Sequence, residues 1–159
     1  MKLIAIVTLS LSPVLFSGCS PNVSSATTDA PAIKLAWQTD LPKALAAAQS
    51  ENKMVLMDFT GSDWCSWCIK FDKEVLDTPE FEDYAAKNVE LVQLDYPNKA
   101  VQSDDLKKAN AALQAQYKVD GFPTLVVLDK DGKEIGRQVG YSEGGPKAFI
   151  AKLEGFMTK

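Results

Sequence analysis

Two cysteines three positions apart, in Trp64-Cys65-Ser66-Trp67-Cys68, are the residues of this chain best suited to do chemistry. If a helix opens at the first of them, both side chains lie on one face about one turn apart, and a disulfide opens and closes with little backbone movement. The first cysteine also falls among unpaired helix N–H groups, which favour the thiolate, the species that attacks disulfides. The helix dipole alone is worth about 0.3–1 kcal/mol, which moves a free thiol by less than about one pK unit. Direct N–H···S hydrogen bonds must supply the rest, and the carboxylate of Asp63 pulls the other way. The pair therefore predicts thiol-disulfide exchange, with Cys65 as the exposed attacking thiol and Cys68 as the inward, resolving one. A structural disulfide closing so short a loop would remove little unfolded-chain entropy. A zinc site needs about four ligands, where this pair offers two thiols and the chain has no His.

Composition narrows the field further. The chain has 159 residues, 46% hydrophobic and 24% charged, the balance of one ordinary globular domain. Its net charge is -4 and its 17 basic residues are scattered, so no basic strip exists to neutralise phosphates and nucleic acid is not an expected partner. The absence of His removes imidazole as base, activator or metal ligand, and neither a metal nor a cofactor is expected.

The start of the chain has the pattern of an export signal. Lys2 gives a basic beginning, Leu3 to Phe16 is mostly apolar, and Ser17-Gly18 precedes Cys19. This stretch is too short, and too interrupted by Ser and Pro13, for a comfortable membrane span. Cys19 after Ser-Gly resembles a bacterial lipobox, at which the cysteine is acylated, with Phe16 standing where Leu is usual. Lipidation of Cys19 also resolves the odd count of three thiols, leaving Cys65 and Cys68 as the pair. The expected division is a lipoprotein signal over 1–18, a flexible tether over 19–33 and a folded domain over 34–159. The tether from Ser20 to Pro31 holds almost no apolar mass, and a flexible run of about 12 residues spans roughly 20 Å. By resemblance to sorting rules, Ser20 after the lipid-bearing cysteine points to the outer membrane, with the domain on its periplasmic face.

The elements that must position the cysteines follow from local pattern. Asp40 caps a helix from Leu41 to about Ser50, with Pro42 in its first turn. Lys53–Thr60 is a nearly continuous apolar run, the mark of a central strand covered on both faces. A helix opens at Cys65, a second restarts at Thr78-Pro79-Glu80 and runs through Lys87, and Val89–Tyr96 is a strand. Ser103-Asp104-Asp105 caps a helix to about Tyr117. Pro123–Leu128 and Lys133–Val139 flank Asp129-Lys130-Asp131-Gly132 as a hairpin. Gly144-Gly145-Pro146 precedes a final helix to about Met157. The fold class is α/β: a mixed sheet of four strands with helices on both faces and an extra N-terminal helix.

With Met57-Asp58-Phe59, the Cys65–Cys68 motif, Gly121-Phe122-Pro123-Thr124, Asp131-Gly132-Lys133 and Val139-Gly140 occurring in order, the sequence from Lys53 to Phe156 resembles the thioredoxin superfamily. Met57 through Lys70 resembles its exported subgroup, akin to the terminal domains of transmembrane disulfide reductases. The resemblance implies that Pro123 is a cis proline facing the sulfurs, with Phe122 and Thr124 flanking a groove for substrate backbone. The alternative for Pro123 is a simple strand-start proline. It also implies that Asp58 is a buried acid assisting proton transfer at the resolving thiol, although one more residue separates it from the first cysteine than in thioredoxin. Asp58 could instead cap the turn that follows. Trp67 stands in place of thioredoxin's proline, Trp64 shields the site, and both contribute to substrate binding, while Trp37 packs at a core or edge.

Three functions are compatible with these residues. The first is a reductase acting on exported protein thiols and disulfides, fed by a membrane electron donor, because the subgroup it resembles mostly works in that direction. The second is a disulfide oxidase or isomerase, since spacing does not set thiolate stability. The third is a non-catalytic lipoprotein that binds a partner through the same groove.

Overall fold

The computed structural model describes residues 35–158. The expectations for the signal, the tether and Cys19 lie outside the described residues. Helix α1 spans Leu41–Glu51, with the Asp40 carboxylate accepting from the Lys43 amide at 3.0 Å and Asn52 closing it in the left-handed region. Strand β1 is Met54–Thr60. Helix α2, Ser66–Phe71, continues into a π-helical turn, Asp72–Leu76, and Thr78 then caps α3, Pro79–Asn88. Strand β2 is Val89–Asp95, α4 is Asp104–Gln116 capped by Ser103, β3 is Thr124–Leu128, β4 is Glu134–Val139, and α5 is Gly145–Met157. The caps predicted at Asp40, Thr78 and Ser103 all form, because each side-chain oxygen takes up an amide that the helix cannot satisfy itself.

The four strands run in the order β2-β1-β3-β4, with β1 parallel to β2, and β3 antiparallel to both β1 and β4. Every residue of β1 is buried, as a strand with helices on both faces requires. Leu56 packs on one face with Phe71, Phe81 and Phe149, from the side carrying α2, α3 and α5. Val55, Met57 and Phe59 pack on the other with Leu41, Ala44 and Ala48 of α1. Because side chains alternate along a strand, Asp58 and Thr60 share the face of Leu56, beneath α2. Trp37 packs partly buried against that same core. The hairpin forms with Gly132 at φ 84°, the positive value its glycine was expected to supply.

Candidate active site

The segment joining β1 to α2 is held at four points. The Cys65 amide donates to the Gly61 carbonyl at 2.9 Å, closing a turn. The Ser62 amide and hydroxyl both donate to the Asp95 carboxylate, at 2.9 and 2.6 Å. The Trp64 indole N–H donates to the Tyr96 carbonyl at 2.7 Å. The Asp63 carboxylate accepts from the amides of Asn98, Lys99 and Ala100 at 2.9, 2.6 and 3.2 Å. Those amides, led by that of Asn98, hold the Asp63 carboxyl below the ordinary carboxylate range. Asp63 thus clasps the loop after β2, a use of its charge that the sequence reading did not foresee.

This clasp leaves Cys65 as the N-cap of α2 rather than its first helical residue. Its Sγ accepts from the Cys68 amide at 3.2 Å, the direct N–H···S bond that the chemistry calls for. Cys65 and Cys68 are joined by a disulfide, with S–S 2.09 Å and Cα–Cα 5.2 Å. Cys65 retains 8% of its surface and Cys68 none. Cys65 is therefore the more accessible sulfur, though far less open than an exposed thiol, while Trp64 before it and Trp67 after it in the motif are themselves exposed.

Phe122-Pro123 is a cis peptide bond, and Pro123 is buried. Phe122 meets Trp64 edge-on at 6.1 Å and stacks on Tyr96 at 4.9 Å. The Thr124 side chain is buried, its hydroxyl donating to the Gly121 carbonyl at 2.7 Å. The structure thus brings Trp64, Phe122 and Pro123 to one end of the sheet with the cysteine pair, and Thr124 holds the loop beneath.

Asp58 is 1% exposed, and neither carboxylate oxygen has a hydrogen-bond partner, so it caps no turn. Burial, reinforced by the negative charges of Asp72 and Asp95, pushes its pKa well above the usual range. Asp72 stands four residues after Cys68, on the same helical face, and burial with Asp77 and Asp95 nearby pushes its carboxyl up to about 6. Helical spacing could have identified Asp72; it was not singled out. Tyr141, directly after the Val139-Gly140 motif, was missed as well. It lies 5.5 Å from Trp67 and its hydroxyl donates to Glu74 at 2.6 Å. Among the described residues, no cluster of His, Cys, Asp and Glu could hold a metal ion.

Gly61 is needed by this packing, because a Cβ there would fall 2.6 Å from the Trp64 ring. Gly61→Ala is expected to displace the indole from its bond to Tyr96 and to cost about 1–3 kcal/mol, as overpacked sites do. Urea unfolding and the Trp64 indole N–H resonance check this; an unmoved resonance at unchanged stability contradicts it.

The sequence matches the thioredoxin-like domain family over residues 41–156. The chain belongs to that family. It is 38% identical over 123 residues to the disulfide bond reductase DsbH of Chlamydia pneumoniae, covering 77% of this chain and 73% of the relative. A solved structure of DsbH oxidoreductase superposes with a TM-score of 0.74 at 33% identity, over 92% of this chain and 95% of that one. The thiol:disulfide interchange protein DsbD of Pseudoalteromonas atlantica is 31% identical over 71% of this chain, but that match spans only 18% of DsbD. This thioredoxin-like chain is a thiol-disulfide oxidoreductase.

Proposed function

We propose that this thioredoxin-like protein is an exported, membrane-anchored reductase of protein disulfides, with Cys65 as nucleophile and Cys68 as resolving thiol. The observation that carries this reading is the asymmetry of the pair: the accessible sulfur sits at the helix cap accepting an N–H, and its partner one turn on is sealed from solvent. The relative named a disulfide bond reductase supports the direction.

In the reduced protein the Cys65 thiolate attacks one sulfur of a substrate disulfide, forming a mixed disulfide and expelling a substrate thiolate. The ionised form of Asp58 takes the proton of Cys68, whose sulfur attacks Cys65 Sγ and expels the second substrate thiolate, and that thiolate receives the proton from Asp58. Two electrons pass from the pair to the substrate, the Cys68 proton passes by way of Asp58 to the second substrate thiolate, the first thiolate takes its proton from water, and the bridge between Cys65 and Cys68 closes. A membrane-bound dithiol donor restores the reduced state by the same exchange in reverse. Trp64, Trp67, Phe122 and Pro123 border the groove that receives the substrate, and Thr124 holds its floor through Gly121. Residues 1–18 act as the signal, acylated Cys19 as the anchor, and 19–33 as the tether that keeps the domain on the periplasmic face of the outer membrane.

Cys68→Ser should trap substrates on Cys65 as mixed disulfides, recovered with the membrane fraction and released by dithiothreitol. The same trap carrying Cys19→Ser should leave them soluble. Absence of adducts in both forms would sink the reductase reading, and equal membrane recovery of both would remove the anchor from it.

A further inference from the structure

We infer that Tyr141 determines specificity: with Trp67, Phe122, Pro123 and Gly140 it forms a pocket selecting disulfides whose cysteine lies within two residues of an aromatic or large aliphatic side chain. The inference rests on the reductase reading above and names its substrate class.

The pocket has a volume of about 240 Å³ and takes one wall from Trp67, the residue directly before Cys68 in the motif. An apolar cavity of about 150 Å³ accepts one benzene-sized group, so this space admits a single aromatic or branched side chain. None of its lining residues is charged. A cationic side chain entering it would lose hydration without gaining a partner, whereas an apolar one releases water from both surfaces. Trp67 keeps 56% of its surface exposed in this position, apolar area that an entering side chain would remove from water.

The Tyr141 wall is fixed from several directions. Phe71 meets its ring edge-on at 6.4 Å, the Glu74 carboxylate accepts from its hydroxyl at 2.6 Å, and Lys70 Nζ lies 4.5 Å from the ring centroid. The same ammonium lies 5.5 Å from the Trp67 ring, joining the two walls and opposing cationic side chains near the mouth. Opposite them, the Gly140 amide donates to the Pro123 carbonyl at 2.8 Å, tying the remaining two sides together. Gly140 has φ +75° and no side chain to fill the space between. A pocket whose walls are tied to their neighbours before substrate arrives loses less to ordering them on binding.

A series of one-disulfide peptides differing only at a position next to the cysteine, Phe, Leu, Gly, Asp or Lys, tests this through kcat/KM for reduction. The wild-type protein is expected to favour Phe and Leu over Gly by about tenfold, within the range a single apolar pocket provides, with Lys no better than Gly and Asp below Phe and Leu. Tyr141→Ala should bring the Phe-to-Gly ratio to within twofold of unity, with the change in KM rather than kcat. Tyr141→Phe, which keeps the ring and loses only the bond to Glu74, should restore most of the ratio. The exposed, distant Met157→Ser should leave the ratio as it is. Equal rates across the series in the wild-type protein, or a ratio undiminished in Tyr141→Ala, overturns the inference while the reductase reading stands. Failure of the wild-type protein to reduce any peptide, Gly included, overturns both.

Discussion

Cys65→Ser is expected to reduce a protein disulfide at less than about one thousandth of the wild-type rate, a loss of about 4 kcal/mol of transition-state stabilisation. The size of the effect follows from the sulfur. A thiol is the one side chain here that ionises near neutrality and forms a stable bond to another sulfur, and a serine hydroxyl does neither. Cys68 cannot take over the attack, because none of its surface reaches solvent and α2 is fixed above the sheet by Phe71 at 1% exposure. The two cysteine variants should therefore differ in kind: Cys68→Ser still completes the first exchange and stalls, whereas Cys65→Ser forms no adduct. Insulin reduction with a dithiol donor, read beside adduct formation on a gel, measures both. Turnover above a tenth of wild type in Cys65→Ser would mean that another group carries the chemistry.

Asp58→Asn is expected to slow the resolving step about 10²-fold, the usual contribution of a positioned acid-base group, while making the protein more stable at neutral pH. The stability change follows from the burial of an unpartnered carboxyl whose pKa is pushed well up, by burial first and then by Asp72 and Asp95. Below the ordinary carboxylate range both folded and unfolded chains hold the proton, and Asp58 costs nothing through ionisation. As pH rises past that range the unfolded chain releases the proton and the folded one keeps it, so the unfolded state gains. Stability then falls by up to about 1.4 kcal/mol per pH unit until the folded carboxyl itself ionises. Asn has no proton to release and escapes this penalty. The gap in unfolding free energy between variant and wild type should thus widen upward from about pH 4. Ionisation of Asp72 near pH 6 adds a negative charge beside Asp58 and prolongs the trend. Urea unfolding at several pH values, beside the lifetime of the mixed disulfide, tests the pair of effects. A variant slowed in exchange without a pH-dependent gain would show Asp58 acting through packing alone.

Most of the scaffold was legible in the residues because its rules act over a few positions. Asp40, Thr78 and Ser103 each cap the helix that follows within three residues, and the apolar run from Met54 to Thr60 is long enough only for a covered strand. The spacing of Cys65 and Cys68 already implied one helical face, and the thioredoxin resemblance rested on motifs in fixed order. Local pattern was silent about which face of β1 carries Asp58. A strand buried throughout shows no alternation, and the face is defined only by the helices that pack on it.

The sequence by itself determined the exchange chemistry, the caps and strands, and the candidate acid. Only the tertiary structure decided what surrounds them: the clasp of Asp63 on the amides of Asn98 to Ala100, the near-burial of Cys65, and the wall that Tyr141 builds across 67 positions from Glu74. The physical reason is range. Capping and periodicity are written within a turn or a pleat, whereas those contacts depend on strand register and on helices packing against a sheet, which the whole chain fixes together.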